Sequence, residues 1–269
     1  MEGMSQSQIA RLDSRAVIAV TGPDTKSFLN GLLTQEIEAL ADGELRFSGL
    51  LTPQGRLLYD LFAAGTPDGV LLDVAGEHRD AIFARLTMYR LRAKVELTSL
   101  NLTVFAVWPT TGGFADPRLP ALGSRLYTRD LAVTATEDDY DAHRLALGVP
   151  GPADWGIDRT YPIEADFDLL NGIDFKKGCF VGQETTSRMK RRGTIKNRML
   201  PIAFAGPPPA FGAEVLAGEL RAGEVLSGRD GRAMALLRLD RIDGAALTAD
   251  GRAVTVDWPA WVPAPTPAS

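Results

Sequence analysis

Between residues 201 and 257 the chain breaks into short β-rich runs: Glu214 to Leu216, Glu224 to Leu226, Met234 to Leu239 and Ala253 to Val256. Turns rich in Gly and Asp separate them. Strands this short cannot bury an apolar face alone and must pair with one another, so the pattern predicts a small antiparallel barrel. Gly206-Pro207-Pro208-Pro209 reads as a linker and Pro259 to Ser269 as a frayed Pro/Ala tail.

The first two thirds of the chain mix strands with separate helices. Val17 to Val20 is a short β-rich run, Gly22-Pro23-Asp24 breaks it, and Phe28, Leu29, Leu32 and Leu33 recur at helical spacing. Leu45 to Leu51 and Leu57 to Phe62 flank Thr52-Pro53-Gln54-Gly55-Arg56, which has the Pro and Gly chemistry of a hairpin loop. Val70 to Val74 makes a third strand. Ala81, Ile82, Arg85, Leu86 and Tyr89 mark an amphipathic helix, and strands follow near Ala93 to Leu97 and Leu102 to Trp108. Gly112 to Gly123 reads as a loop or inter-lobe connection. A helix near Asp138 to Leu147 stops at Gly148-Val149-Pro150-Gly151, turns fill Asn171 to Gly182, and Gln183 to Arg192 suits a helix. The class is α+β. Residues 1–198 form the α+β region, 199–258 the barrel and 259–269 the tail.

Composition narrows the function classes. The 269 residues hold one cysteine, Cys179, and two histidines, His78 and His143, which excludes a disulfide framework and an in-chain zinc quartet. No metal site is expected. A net charge of -5 gives nucleic acid no global attraction. The N-terminal residues show no apolar h-region, and no apolar stretch approaches the roughly 20 residues that span a bilayer. The expectation is a cytoplasmic, unanchored protein.

The chemistry concentrates in Lys176-Lys177-Gly178-Cys179-Phe180-Val181-Gly182-Gln183-Glu184. The only thiol stands beside two ammonium groups and shortly ahead of a helix N-terminus, and both influences favour a thiolate. The alternative is a small buried hydrophobe in a tight turn, because free Cys is among the most buried residue types.

This segment resembles the KGC[FY]xGQE signature of the YgfZ family, folate-binding proteins of iron–sulfur cluster maintenance similar in fold to the T-protein of the glycine cleavage system. Tyr161 to Ile173 resembles the family's P-x-E-A-N-x-D-x-L-x-G-I pattern, Val20 to Gly31 its V-x-G-x-D-x-x-x-F-L-x-G, and Leu51 to Arg56 its L-T-P-x-G-R. The resemblance implies a three-lobed T-protein-like fold around an opening for tetrahydrofolate, closed by a C-terminal β-barrel.

On this resemblance Glu164 pairs with the pterin edge, a task suited to a carboxylate that accepts two parallel hydrogen bonds. Its alternative is a solvated or capping glutamate. Tyr140 and Arg144 share a helix face at i, i+4 and fall to the pterin or aminobenzoyl ring and the glutamate tail, with Arg144 otherwise a surface charge. The T-protein's acidic pair reads Tyr59-Asp60 here, so one carboxylate is missing, and Asp60 keeps a polar role or faces water at a strand end. Asp166 replaces the family's usual Asn.

The implied function is a tetrahydrofolate-binding accessory protein that assists iron–sulfur cluster assembly or repair in client enzymes, with Cys179 as the functional thiol. Its partners are folate and iron–sulfur client or assembly proteins. An aminomethyltransferase-type or demethylase-type enzyme using tetrahydrofolate is the alternative. A third reading takes Arg188-Met189-Lys190-Arg191-Arg192, with Lys196 and Arg198, as an interaction surface. That run lacks the interleaved aromatics of a single-strand nucleic-acid platform.

Overall fold

The computed structural model describes residues 7–109, 112–193 and 195–263. Strands β1 (Gln8–Arg11) and β2 (Arg15–Thr21) open the chain, followed by helix α1 (Thr25–Asn30) and strands β3 (Leu45–Leu51), β4 (Leu57–Thr66) and β5 (Gly69–Ala75). Helix α2 (Arg79–Arg90) leads to β6 (Glu96–Leu100), β7 (Thr103–Trp108), β8 (Phe114–Ala115) and β9 (Ser124–Thr128). Helices α3 (Glu137–Ala146), α4 (Pro152–Trp155) and α5 (Gln183–Arg192) come next. The last part holds β10 (Asn197–Ala203), β11 (Glu214–Ala217), β12 (Leu220–Arg229), β13 (Arg232–Arg238), the short α6 (Leu239–Ile242), β14 (Leu247–Ala249) and β15 (Arg252–Val256).

The described residues form three sheets. One has five strands in the order β3-β4-β5-β2-β6, a second has four in the order β1-β7-β9-β8, and β10-β13-β12-β11-β14-β15 closes into a barrel. Because β1 pairs with β7 while β2 lies in the other sheet, the two sheets interleave along the chain. Phe47, Phe62, Trp155, Phe167, Met199 and Met234 belong to one apolar core, and it draws side chains from the five-stranded sheet, α4, the 163–173 segment and the barrel. The Phe47 and Phe167 rings meet at 4.5 Å, and Trp155 reaches Phe167 at 5.4 Å. Aromatic pairs of this kind add to the area they bury.

The hairpin at Thr52–Arg56, helices α2, α3 and α5 and the closed barrel answer the sequence pattern. Elsewhere local geometry overrides it. The expected strand at Ala93–Leu97 begins at Glu96, because Asp24 Oδ2 accepts the Lys94 N–H at 2.8 Å and Ala93 N–H turns back to Arg90 O at 2.7 Å. Strand β9 goes unread in the sequence, since Ser124, Arg125 and Thr128 look like loop residues. The Gly112–Gly123 connection itself carries β8 and a short 3-10 turn at Pro120–Leu122.

Two boundary readings are corrected. Gly206 to Pro209 lies inside the barrel between β10 and β11, where Gly206 O accepts from Gly231 N at 2.9 Å and Pro207 O from Arg252 Nη1 at 2.7 Å. It links no lobes. The start of the expected tail is docked: Trp261 Nε1 donates to Leu147 O at 2.8 Å and Val262 is buried against the barrel core. Residues 264–269 lie outside the described part of the chain.

Candidate functional site

Cys179 is exposed, so the buried-hydrophobe alternative is excluded. Its loop is fixed on both sides. On the C-terminal side Phe180 is buried, Val181 N donates to Gly31 O at 3.2 Å, and Gln183 Oε1 accepts the Phe180 N–H at 3.2 Å. Gly182 then begins α5 with φ of 81°, a left-handed conformation that favours glycine. Its carbonyl faces Gly55, where a Cβ would stand 2.8 Å away. The hairpin loop and the cysteine segment therefore pack backbone to backbone.

Lys177 corrects part of the electrostatic expectation. Its Nζ donates to Asn30 O at 2.7 Å, Leu33 O at 2.7 Å and Gln35 O at 2.9 Å, so the ammonium is spent on α1 and the turn beyond it. Burial pushes this amine down to about 8, and Glu36, Asp174 and Glu38 pull the other way. Further along, Arg188, Lys190, Arg191 and Arg192 are exposed on α5. Lys190 lies 3.6 Å from Asp168 Oδ2 and 5.2 Å from the centre of the Phe175 ring.

Asp60, Tyr140 and Arg144 come together in a cleft that Arg15, Phe62, Arg118, Arg125, Glu137 and Asp141 help to line. Beside it the guanidiniums of Arg15, Arg118 and Arg125 interlock with the carboxylates of Asp60, Asp73 and Asp116. Asp60 Oδ2 accepts from Arg15 Nη1 at 2.9 Å, and Asp73 accepts from Arg15 Nε and from Arg125 Nη1, each at 2.6 Å. Asp116 Oδ2 accepts from Arg118 Nη2 at 2.7 Å, and the same nitrogen donates to Tyr140 Oη at 3.0 Å. Phe62 supplies the floor, with Arg125 Cζ 3.7 Å and Arg118 Cζ 4.8 Å from its ring centre.

The charges sustain one another. Burial works against the Asp116 carboxylate, but Arg118 outweighs it and holds the pKa below the usual carboxylate value. For Arg15 burial is again the largest influence, and Asp60 and Asp73 overcome it to raise the pKa. Asp60 does not face water at a strand end; it is buried and ion-paired. Arg144 is no surface charge either. It is buried, donating to Asp141 Oδ1 at 2.6 Å and Val149 O at 2.8 Å, and lies 3.3 Å from Asp154 Oδ2.

Glu164 lies apart from this cleft. Its carboxylate accepts the Tyr161 N–H at 3.1 Å and the Asn197 Nδ2–H at 2.9 Å, a capping role that ties the 161–164 turn to β10. Asp166, with φ of 60°, is buried; Oδ1 accepts from Arg198 Nη1 at 2.7 Å while Oδ2 has no hydrogen-bond partner among the described residues. The folate set is thus divided. The cleft also holds only about 80 Å3 of water-accessible space, below the roughly 300–1,000 Å3 of pockets that bury drug-sized ligands. In this arrangement the residues do not fit tetrahydrofolate. Arg15, Asp73, Asp116, Arg118 and Arg125 are the participants that sequence reasoning missed; the available signal was charge set within or beside apolar strands.

The iron–sulfur cluster assembly factor IBA57 of Mus musculus, a mitochondrial protein, is 32% identical, with 94% of this chain and 85% of that protein aligned. The chain belongs to the IBA57 family. Its Homo sapiens relative is also 32% identical, over 87% of this chain and 78% of that protein, and a Mycosarcoma maydis homologue is 32% identical over 75% and 59%. The family model of the CAF17 C-terminal β-barrel domain matches residues 196–264.

Among solved structures, the glycine cleavage system aminomethyltransferase T from Bartonella henselae superposes with a TM-score of 0.70 at 18% identity, covering 95% of this chain and 86% of that one. The T-protein-like α+β fold with its terminal barrel is therefore borne out. The cytoplasmic expectation is overturned: the IBA57 relatives are named as mitochondrial proteins. An apolar h-region marks secretion, so its absence could not assign a compartment. Among the described residues no helix is long and apolar enough to cross a membrane, and no group of three His, Cys, Asp or Glu is placed to hold a metal ion.

Proposed function

We propose that this IBA57-family chain assists iron–sulfur cluster assembly in client enzymes and that Cys179 is its functional thiol. The carrying observation is the exposure of the only cysteine on a loop fixed from both sides. Family membership supports the process, and the KGCFVGQE motif, which resembles that of the YgfZ proteins, supports the residue. One thiolate cannot hold a cluster, since such clusters normally take four ligands; the remaining ligands come from a partner protein. The partner is thus an iron–sulfur assembly or client protein that brings its own thiolates.

The reading uses no folate. A folate-borne one-carbon transfer needs a carboxylate free to move protons, whereas Asp60 is committed to Arg15 and the acidic residue expected beside it is Tyr59. The deciding experiment replaces Cys179 with Ala in cells and assays iron–sulfur client enzymes at matched protein level. Loss of client activity supports the proposal, and unchanged activity overturns it.

A further inference from the structure

Resting on that reading of Cys179, we infer that Lys177 is the positioning residue of the thiol, riveting the Cys179 loop to the C-terminal end of α1. An ammonium has three donors and no acceptor capacity. All three are used: the carbonyls of Asn30, Leu33 and Gln35 receive them at 2.7, 2.7 and 2.9 Å. Asn30 is the last residue of α1, and its carbonyl is one of those a helix leaves unpaired at its C-terminus. A cation there also meets the negative end of the helix dipole. Lys177 thus caps, from 147 residues away, a helix whose own sequence has no basic residue in its last turn.

The anchorage is rigid because α1 is. Leu29 and Leu33 are fully buried in the core beneath the five-stranded sheet. Asp174 N adds a bond to Thr34 O at 3.0 Å, and on the far side of the thiol Val181 N bonds to Gly31 O. The Lys177 Nζ also lies 5.2 Å from the centre of the buried Phe180 ring, which couples the two anchors across the crest. Between them stand Gly178 and Cys179 alone, and a Cβ placed on Gly178 would meet nothing within 4 Å. The thiol is therefore held out at a fixed place by its neighbours. A ligand or partner that must meet it in one geometry gains from that pre-organisation.

Lys176, the preceding residue, is exposed and its side chain makes no such contact among the described residues. The pair gives an internal control. A nitroxide attached to Cys179, the only cysteine, reports motion of the loop in the full-length chain by electron paramagnetic resonance. At a temperature well below each variant's melting point, Lys177→Met should raise the fast-moving fraction at least about twofold, while Lys176→Met leaves it unchanged. Lys177→Gln, which is one atom shorter and carries two donors, serves if the methionine variant does not fold, with the same expected direction. Equal line shapes in the Lys177 variant and the parent would overturn the inference. Client activity of unlabelled Lys177→Met should fall while Lys176→Met keeps it. If Cys179→Ala leaves clients active but the label is loosened in the Lys177 variant, the functional reading fails and the tether stands. If Cys179→Ala is inactive but the label stays rigid, the tether fails and the functional reading stands.

Discussion

Arg125 Nη1 donates to Asp73 Oδ2 at 2.6 Å, with both side chains withdrawn from water. The contact joins β9 of the four-stranded sheet to β5 of the five-stranded one, and Arg15 closes on the other oxygen of the same carboxylate. Removing one partner of a buried ion pair leaves an uncompensated charge and costs about 3–5 kcal/mol. Asp73→Asn should therefore lower the melting temperature by about 10 °C in a calorimetric scan. Adding Arg125→Met to Asp73→Asn should cost less than the sum of the single changes, because one of the two cations that Asp73 pairs is then removed with it while Arg15 keeps Asp60. A melting point within 2 °C or so of the parent would show that the cluster does not hold the sheets together.

Cys179 stands at the opposite extreme. Exposed and without a packing role, it should be replaceable by Ser with a stability change within about 0.5 kcal/mol, the ordinary range for surface substitutions. Unfolding in urea followed by circular dichroism measures this directly. A larger loss would make the residue structural and weaken any inference drawn from an inactive cysteine variant.

How much of this was legible depends on what kind of interaction fixes each element. The barrel could be read because alternation and turn residues are local signals, and the hairpin because Pro53 and Gly55 state its turn. The motif residue Cys179 could be found by its neighbours. The buried ion network could not, because Arg15, Asp73 and Arg125 are far apart in sequence and each looks like a surface charge until the two sheets face each other. Lys177 misled for the same reason: its nearest sequence neighbour of interest is the thiol, but its partners are the α1 carbonyls. Glu164 matched a motif whose local capping role alone the backbone shows.

Asp166 predicts a pH dependence. Burial pushes its carboxyl up to about 8; Arg198 acts in the opposite direction, and the charge of Asp168 adds a smaller upward push. In the unfolded chain the group ionises near the ordinary value of about 3.9. Between those limits the native state binds the extra proton, so stability falls as pH rises from about 4 to about 8 and this contribution levels off above. Asp166→Asn keeps the shape, tolerates the positive φ and removes the titration. The variant should melt at least about 2 °C above the parent at pH 8 and show no such gain at pH 4. An identical pH profile in both proteins would mean that Asp166 stays ionised beside Arg198.

The divided folate set leads to a prediction about binding. Asp60 is paired with Arg15, Arg144 is tied to Asp141 and Val149 O, and Glu164 caps its own turn away from the cleft. Opening a site for a pterin would require breaking buried charge pairs, at several kcal/mol each. Calorimetric titration of the purified chain with tetrahydrofolate should therefore show no saturable heat up to near-millimolar ligand. Cys179→Ala and Glu164→Ala should behave like the parent. Saturable binding that Glu164→Ala abolishes would mean that the cleft opens and Glu164 turns toward it, and would return a folate step to the function of this chain. Saturable binding lost instead in Asp60→Asn would place the ligand among the arginines around Phe62.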